Sequence, residues 1–161
     1  MTNLSPRHRI EYESIRMLAI ECHALDLSAH TLLIDGTHSP SRSTKMAYEQ
    51  LNTEKILMLA ISLRTKFYQG VSNDETENYV TNCGFLDEDS EGEKRPLALT
   101  IKDVCDKLIH ANRVEREFTN NNDGLLTKIR GTQGKRNWQL TISMSLFSEA
   151  ILNWIDDRPD A

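Results

Sequence analysis

At 161 residues the chain is long enough for one domain with a single core and too short for two, and 39% hydrophobic with 27% charged residues excludes a disordered or fibrous protein. The formal charge of −5 argues against a surface that coats nucleic acid. Cys22, Cys83 and Cys105 show no C-x-x-C spacing, which excludes a disulfide framework and implies a reducing compartment. With a polar MTNLSPRHRIEYES start and no apolar run long enough to span a membrane, the expectation is a cytoplasmic protein with no membrane segment.

Ile15, Leu18, Cys22, Leu25, Ala29 and Leu32 recur at steps of three and four, so the spacing predicts a long amphipathic helix over about Pro6 to Ile34. Such a seam packs along another long helix, within the chain or across a dimer, and it is one of two grounds on which a homodimer is expected. His23, Asp26 and His30 share one side of that helix at ligand-like spacing, yet nothing nearby in sequence completes a metal set, and no metal or other cofactor is predicted. Asp35-Gly36 ends the helix, and Ser43 or Thr44 caps a second one. Within it the run from Ile56 to Leu63 is apolar almost all round, which predicts a central helix covered by several neighbours. Arg64 and Tyr68 emerge just beyond the run.

Gly70 stops the second helix. Val71 to Arg95 holds eight acids and two bases, net −6, leaving the rest of the chain near +1. This acidic connector, 71–95, reads as a loop with a short ordered piece at Asn78 to Phe85. Asp87 to Gly92 imitates the first half of a calcium loop, but Ala98 stands where the closing Glu should be. A third helix follows, with Thr100 and Asp103 at capping-box spacing and Ile101, Val104, Cys105 and Leu108 on its apolar side. Asp106 and His110, i and i+4, lie on its polar side, where the carboxylate could hold the imidazole for acid–base work. A basic group in a last helical turn is also favoured by the helix dipole with no chemistry implied.

Val114 to Phe118 alternates as a strand, Asn120 to Gly124 is a turn signal, and a hairpin over 125–143 is predicted around Gly131-Thr132-Gln133-Gly134. Trp138, Leu140 and Ile142 fall on its packed face; Asn137, Gln139 and Thr141 fall on the wet one. Lys128, Arg130, Lys135 and Arg136 cluster along the hairpin with no acid between them in sequence, a candidate grip for nucleic-acid phosphates or simple protection of an edge. Leu146, Phe147, Ala150, Ile151, Trp154 and Ile155 make a last amphipathic helix ending before Pro159.

The pattern predicts a single, mainly α domain over 1–161: a four-helix up-down bundle with a small antiparallel hairpin or three-stranded sheet inserted before the last helix. A bundle whose late helix ends Asp106-Lys107-Leu108-Ile109-His110-Ala111 resembles the HEPN group, helical bundles of bacterial defence and mobile-element proteins. Active members of that group place an Arg five to seven positions before the His and cleave RNA without metal as dimers, so the resemblance is the second ground for expecting a homodimer. The corresponding positions here are Asp103, Val104 and Cys105, so only the polar residue, as Asp106, and His110 carry over. Three functions are therefore expected as candidates. The first is a non-catalytic module binding a protein or RNA partner. The second is a metal-independent ribonuclease using His110, oriented by Asp106, with Arg64, Lys107 or Arg113 on the phosphate. The third is nucleic-acid binding through the basic hairpin.

Overall fold

A computed structural model describes residues 9–35, 39–69, 79–88, 99–117 and 126–158. Helix α1 spans Tyr12–His30 and runs on as a π turn over Thr31–Asp35. Its stripe is buried as the periodicity requires: Ile15, Ala19, Cys22 and Ala29 are all inaccessible to solvent. That seam is used within the chain, where α1 packs between α2 (Arg42–Tyr68) and the last helix, α4 (Met144–Asp156). It does not supply the dimer contact expected from the sequence.

Helix α2 begins earlier than expected, because Ser41 and not Ser43 or Thr44 is the cap; its Oγ accepts from the Thr44 amide at 3.2 Å. The apolar run is covered on one side only. Ile56, Leu59, Ala60 and Leu63 are buried, whereas Met58 and Ile61 are about half exposed at 51% and 48%. Helix α3, Ile101–Ile109, has the predicted capping box: Thr100 accepts from the Asp103 amide, and the Asp103 carboxylate accepts from the Thr100 amide. It is only nine residues long. His110 is its C-cap, and two residues later the Asn112 amide donates to the Arg130 carbonyl at 2.8 Å, so the chain has left the helix and joined a sheet.

The bundle expectation fails at this sheet. Four antiparallel strands lie in the order β2, β6, β5, β4, where β2 is Gly84–Glu88, β4 Arg113–Glu117, β5 Leu126–Gln133 and β6 Arg136–Ile142. Two shorter strands, β1 (Val80–Thr81) and β3 (Leu99–Thr100), pair separately. The acidic connector supplies β2, which aligns Leu86 with Leu140 and Glu88 with Trp138 along the edge of β6 that a hairpin alone would leave unpaired. Asp87 and Glu88 are thus strand residues; the remainder of the calcium-like run lies outside the described residues, as does the Asn120 to Gly124 turn. The architecture is helices packed on one face of an antiparallel sheet, not an up-down bundle with a small insertion.

Alternation in β5 and β6 puts Ile129, Trp138, Leu140 and Ile142 into the same core as Val104, Cys105, Phe147 and Ile151. The opposite face is not wholly wet, since Thr141 is 2% exposed. The hairpin turn falls at Gly134 and Lys135, three residues later than the first glycine of the predicted turn. Gly134 has φ 63° and no other described residue has positive φ, the II′ pattern that suits the twist of the flanking strands. Gly131 is inside β5, where a Cβ would stand 2.2 Å from the Trp138 ring; the absent side chain is what lets the indole lie down.

Candidate functional site

Between α3, the β5–β6 turn and the end of β2 lies a cleft of about 1070 Å³. Arg64, Asp106, Lys107 and His110 all line it, together with Asn112 and Trp138. The ribonuclease expectation required Arg64 and His110, on separate helices, to share one cleft. Packing of α3 on the last turns of α2 brings them to one place.

The pairing within the cleft differs from the one expected. Arg64 Nε meets Asp106 Oδ1 at 2.7 Å, and Arg64 Nη2 donates to the Tyr68 hydroxyl at 2.7 Å. Asp106 is therefore engaged by the arginine, and the only bond it makes with His110 is through the backbone, His110 N–H to Asp106 carbonyl at 3.2 Å. The His110 side chain is exposed at the mouth of the cleft. Lys107 Nζ stands 3.3 Å from Glu88 Oε1 and 4.8 Å above the Trp138 ring. Asp103, also in the lining, is held by the capping box. Arg113 does not reach this cleft; it lies on β4, 2.5 Å from Glu115, in a separate groove against Glu49 and Thr53 of α2.

The basic quartet is divided. Lys128 and Arg130 stand side by side on β5, but the strand register sets Glu115 of β4 opposite Lys128, and Glu115 lies 3.6 Å from Arg130. Arg130 also donates to Gln139 at 2.9 Å. Lys135 and Arg136 are exposed at the turn, beyond those strands. Glu115 is the acid that the sequence interval concealed, because cross-strand neighbours are distant in sequence.

The metal trio is not assembled either. His23 faces Glu149 of α4 at 3.6 Å, and no group of potential ligands converges among the described residues. Asp26 has turned inward. Its carboxylate receives Arg116 Nη2 on one oxygen, and on the other the Ser145 amide at 3.0 Å and hydroxyl at 2.5 Å, so it caps α4. Arg116 also donates to the Tyr48 hydroxyl at 2.8 Å, which donates in turn to the Leu25 carbonyl. This network joins α1, α2, β4 and α4, and sequence reasoning missed it; the one available signal was an Asp within the apolar stripe of α1.

Burial pushes the Cys22 thiol up to about 12 and raises Cys83 and Cys105 as well, so all three stay protonated at neutral pH and none is a nucleophile. Each is an unpaired thiol. No described helix is long and apolar enough to cross a membrane. No family model, curated protein or solved structure matches the chain, so the reading of the cleft rests on its own geometry.

Proposed function

We propose that the protein is a non-catalytic binding module whose cleft receives a segment of a partner protein, in a reducing compartment such as the cytoplasm. The observation that carries this reading is the charge balance of the lining. Arg64 is bonded to Asp106 and Lys107 to Glu88, so the cations are already matched by carboxylates. A polyphosphate needs uncommitted positive charge; a polypeptide needs a mixed lining with an aromatic floor and polar groups at its rim, which Trp138, Asn112, His110 and Gln133 supply. The cleft, at about 1070 Å³, has room for a short chain segment.

Panning a random peptide library against the wild-type protein and against His110→Trp, which fills the mouth, tests the proposal. Peptides enriched by the first and not by the second are expected. Enrichment indifferent to the substitution, or none, refutes it. The ribonuclease reading keeps one observation in its favour, the shared cleft of Arg64, Lys107 and His110. It requires cleavage of a mixed RNA pool in EDTA that His110→Ala lowers about a hundredfold or more.

A further inference from the structure

A different face carries a second interaction. On α1, Met17, Ile20 and Leu27 are exposed, and on α2 so are Leu51, Met58 and Ile61, each by between 42% and 62%. They are not scattered. The α1 residues, with Ala24, lie on the side opposite its buried stripe of Ile15, Ala19, Cys22, Asp26 and Ala29, so that helix is apolar on two faces. On α2 the outer row runs Ala47, Leu51, Glu54, Met58, Ile61, stepping four, three, four, three. That stepping is the 3.5-residue repeat of a seam that packs lengthwise on another helix.

The two rows form one surface. The flank of α1 that meets α2 is fixed by Glu21 and Lys55 at 2.6 Å, and the flank that meets α4 by Arg16 and Asp156 at 2.5 Å. Both outer rows therefore point away from the core, side by side. We infer that the outer faces of α1 and α2 form the contact surface for a second copy of this chain, the two copies running antiparallel about a twofold axis.

Three arguments select that occupant. A helical seam is complementary to another of the same stepping at a shallow crossing angle, and this chain presents one. Two helices of about 10 Å width over about 27 Å of length give roughly 500 Å² per copy, or about 1,000 Å² in total, near the lower bound for specific association. The charge pattern also tolerates a twin. Glu21 and Lys55 neutralise each other between the rows, and a register that sets Leu51 against the partner's Ile61 sets Glu54 against the partner's Met58, so the two Glu54 carboxylates do not face.

Sedimentation equilibrium of the full chain across the micromolar range is the test. The expected species is a dimer, twice the 18.4 kDa chain, in exchange with monomer. Met58→Glu with Ile61→Glu should weaken association about a hundredfold, and Met17→Glu on the neighbouring helix should weaken it as well. All three side chains are exposed, so the thermal transition of the monomer should hardly move. Should the double variant melt lower, Leu51→Gln gives the same readout with a smaller change. A wild-type chain that stays monomeric throughout, including one that instead buries this face against a different protein, overturns the inference. So does a dimer that withstands both the α1 and the α2 substitutions.

Discussion

Two arginine–aspartate pairs of like chemistry differ in one respect, their access to water. Arg116 and Asp26 have side chains 3% and 5% exposed; Arg64 and Asp106 are 14% and 39% exposed. The sealed pair draws in further partners, Tyr48 and Ser145, because polar atoms removed from water are costly unless bonded again inside; Arg116 Nε alone of that guanidinium's nitrogens is buried without a partner. The open pair lies along a cleft where solvent screens it and a ligand could compete for it. Burial, more than the pairing itself, separates a structural tie from a binding surface.

Breaking the sealed pair should produce the largest effect. Arg116→Met strands the Asp26 carboxylate in the core, and Asp26→Leu strands the Arg116 guanidinium; each should cost about 3–5 kcal/mol in urea denaturation. The double substitution should recover much of that loss, since neither charge is then left alone. It should not recover all of it, because Asp26 also caps α4 at Ser145, a contact worth roughly 1 kcal/mol. If Arg116→Met unfolds at the wild-type midpoint, the pair is not sealed and the contrast with Arg64 disappears.

The same interior can be sharpened by pH. Cys22 lies one turn before Asp26 on α1, and burial raises its thiol from 9.0 to about 12. Between those values the unfolded chain releases the proton and the folded chain keeps it, so the stability present below pH 9 is lost as pH rises toward 12. The slope should reach about 1.4 kcal/mol per pH unit for this thiol at most. Urea midpoints at pH 8 and pH 10, compared between wild type and Cys22→Ala, isolate its share from the other alkaline titrations. Equal slopes would show that water reaches Cys22.

How far the sequence can be read follows the distance over which each interaction acts. Local signals hold: the α3 capping box, the α1 core stripe and the inward alternation of Trp138, Leu140 and Ile142 all depend on residues a few positions apart. The errors are long-range ones. Strand β2 was hidden in an acidic segment because it gains its place from β6, more than fifty residues later. Glu115 divides the basic quartet only through cross-strand register. Asp106 looked like the partner of His110 on the same helix, but a guanidinium arriving from α2, always charged and forked, is the stronger partner for a carboxylate than an imidazole on its own helix. Arg64 and His110 were both legible as candidates for one cleft; the ion pair by which Arg64 claims Asp106 within it was not.

The smallest effect on stability is expected at the open pair, and there the sign of a second readout carries the information. Asp106→Asn keeps the side-chain shape and removes its charge, while Arg64 keeps its bond to Tyr68. Solvent reaches Asp106, so the loss should stay under about 1 kcal/mol, a fraction of the cost at Asp26. The cleft would then hold an arginine released from its carboxylate beside Lys107 and His110. A binding module should consequently gain a modest, salt-sensitive affinity for RNA that the wild type lacks, measurable by fluorescence anisotropy at two salt concentrations. A ribonuclease that relies on Asp106 to orient His110 should move the other way and lose cleavage rate. One conservative substitution thus separates the two readings, and a variant that binds RNA no better than wild type at low salt would show that Asp106 is not what keeps phosphate out of the cleft.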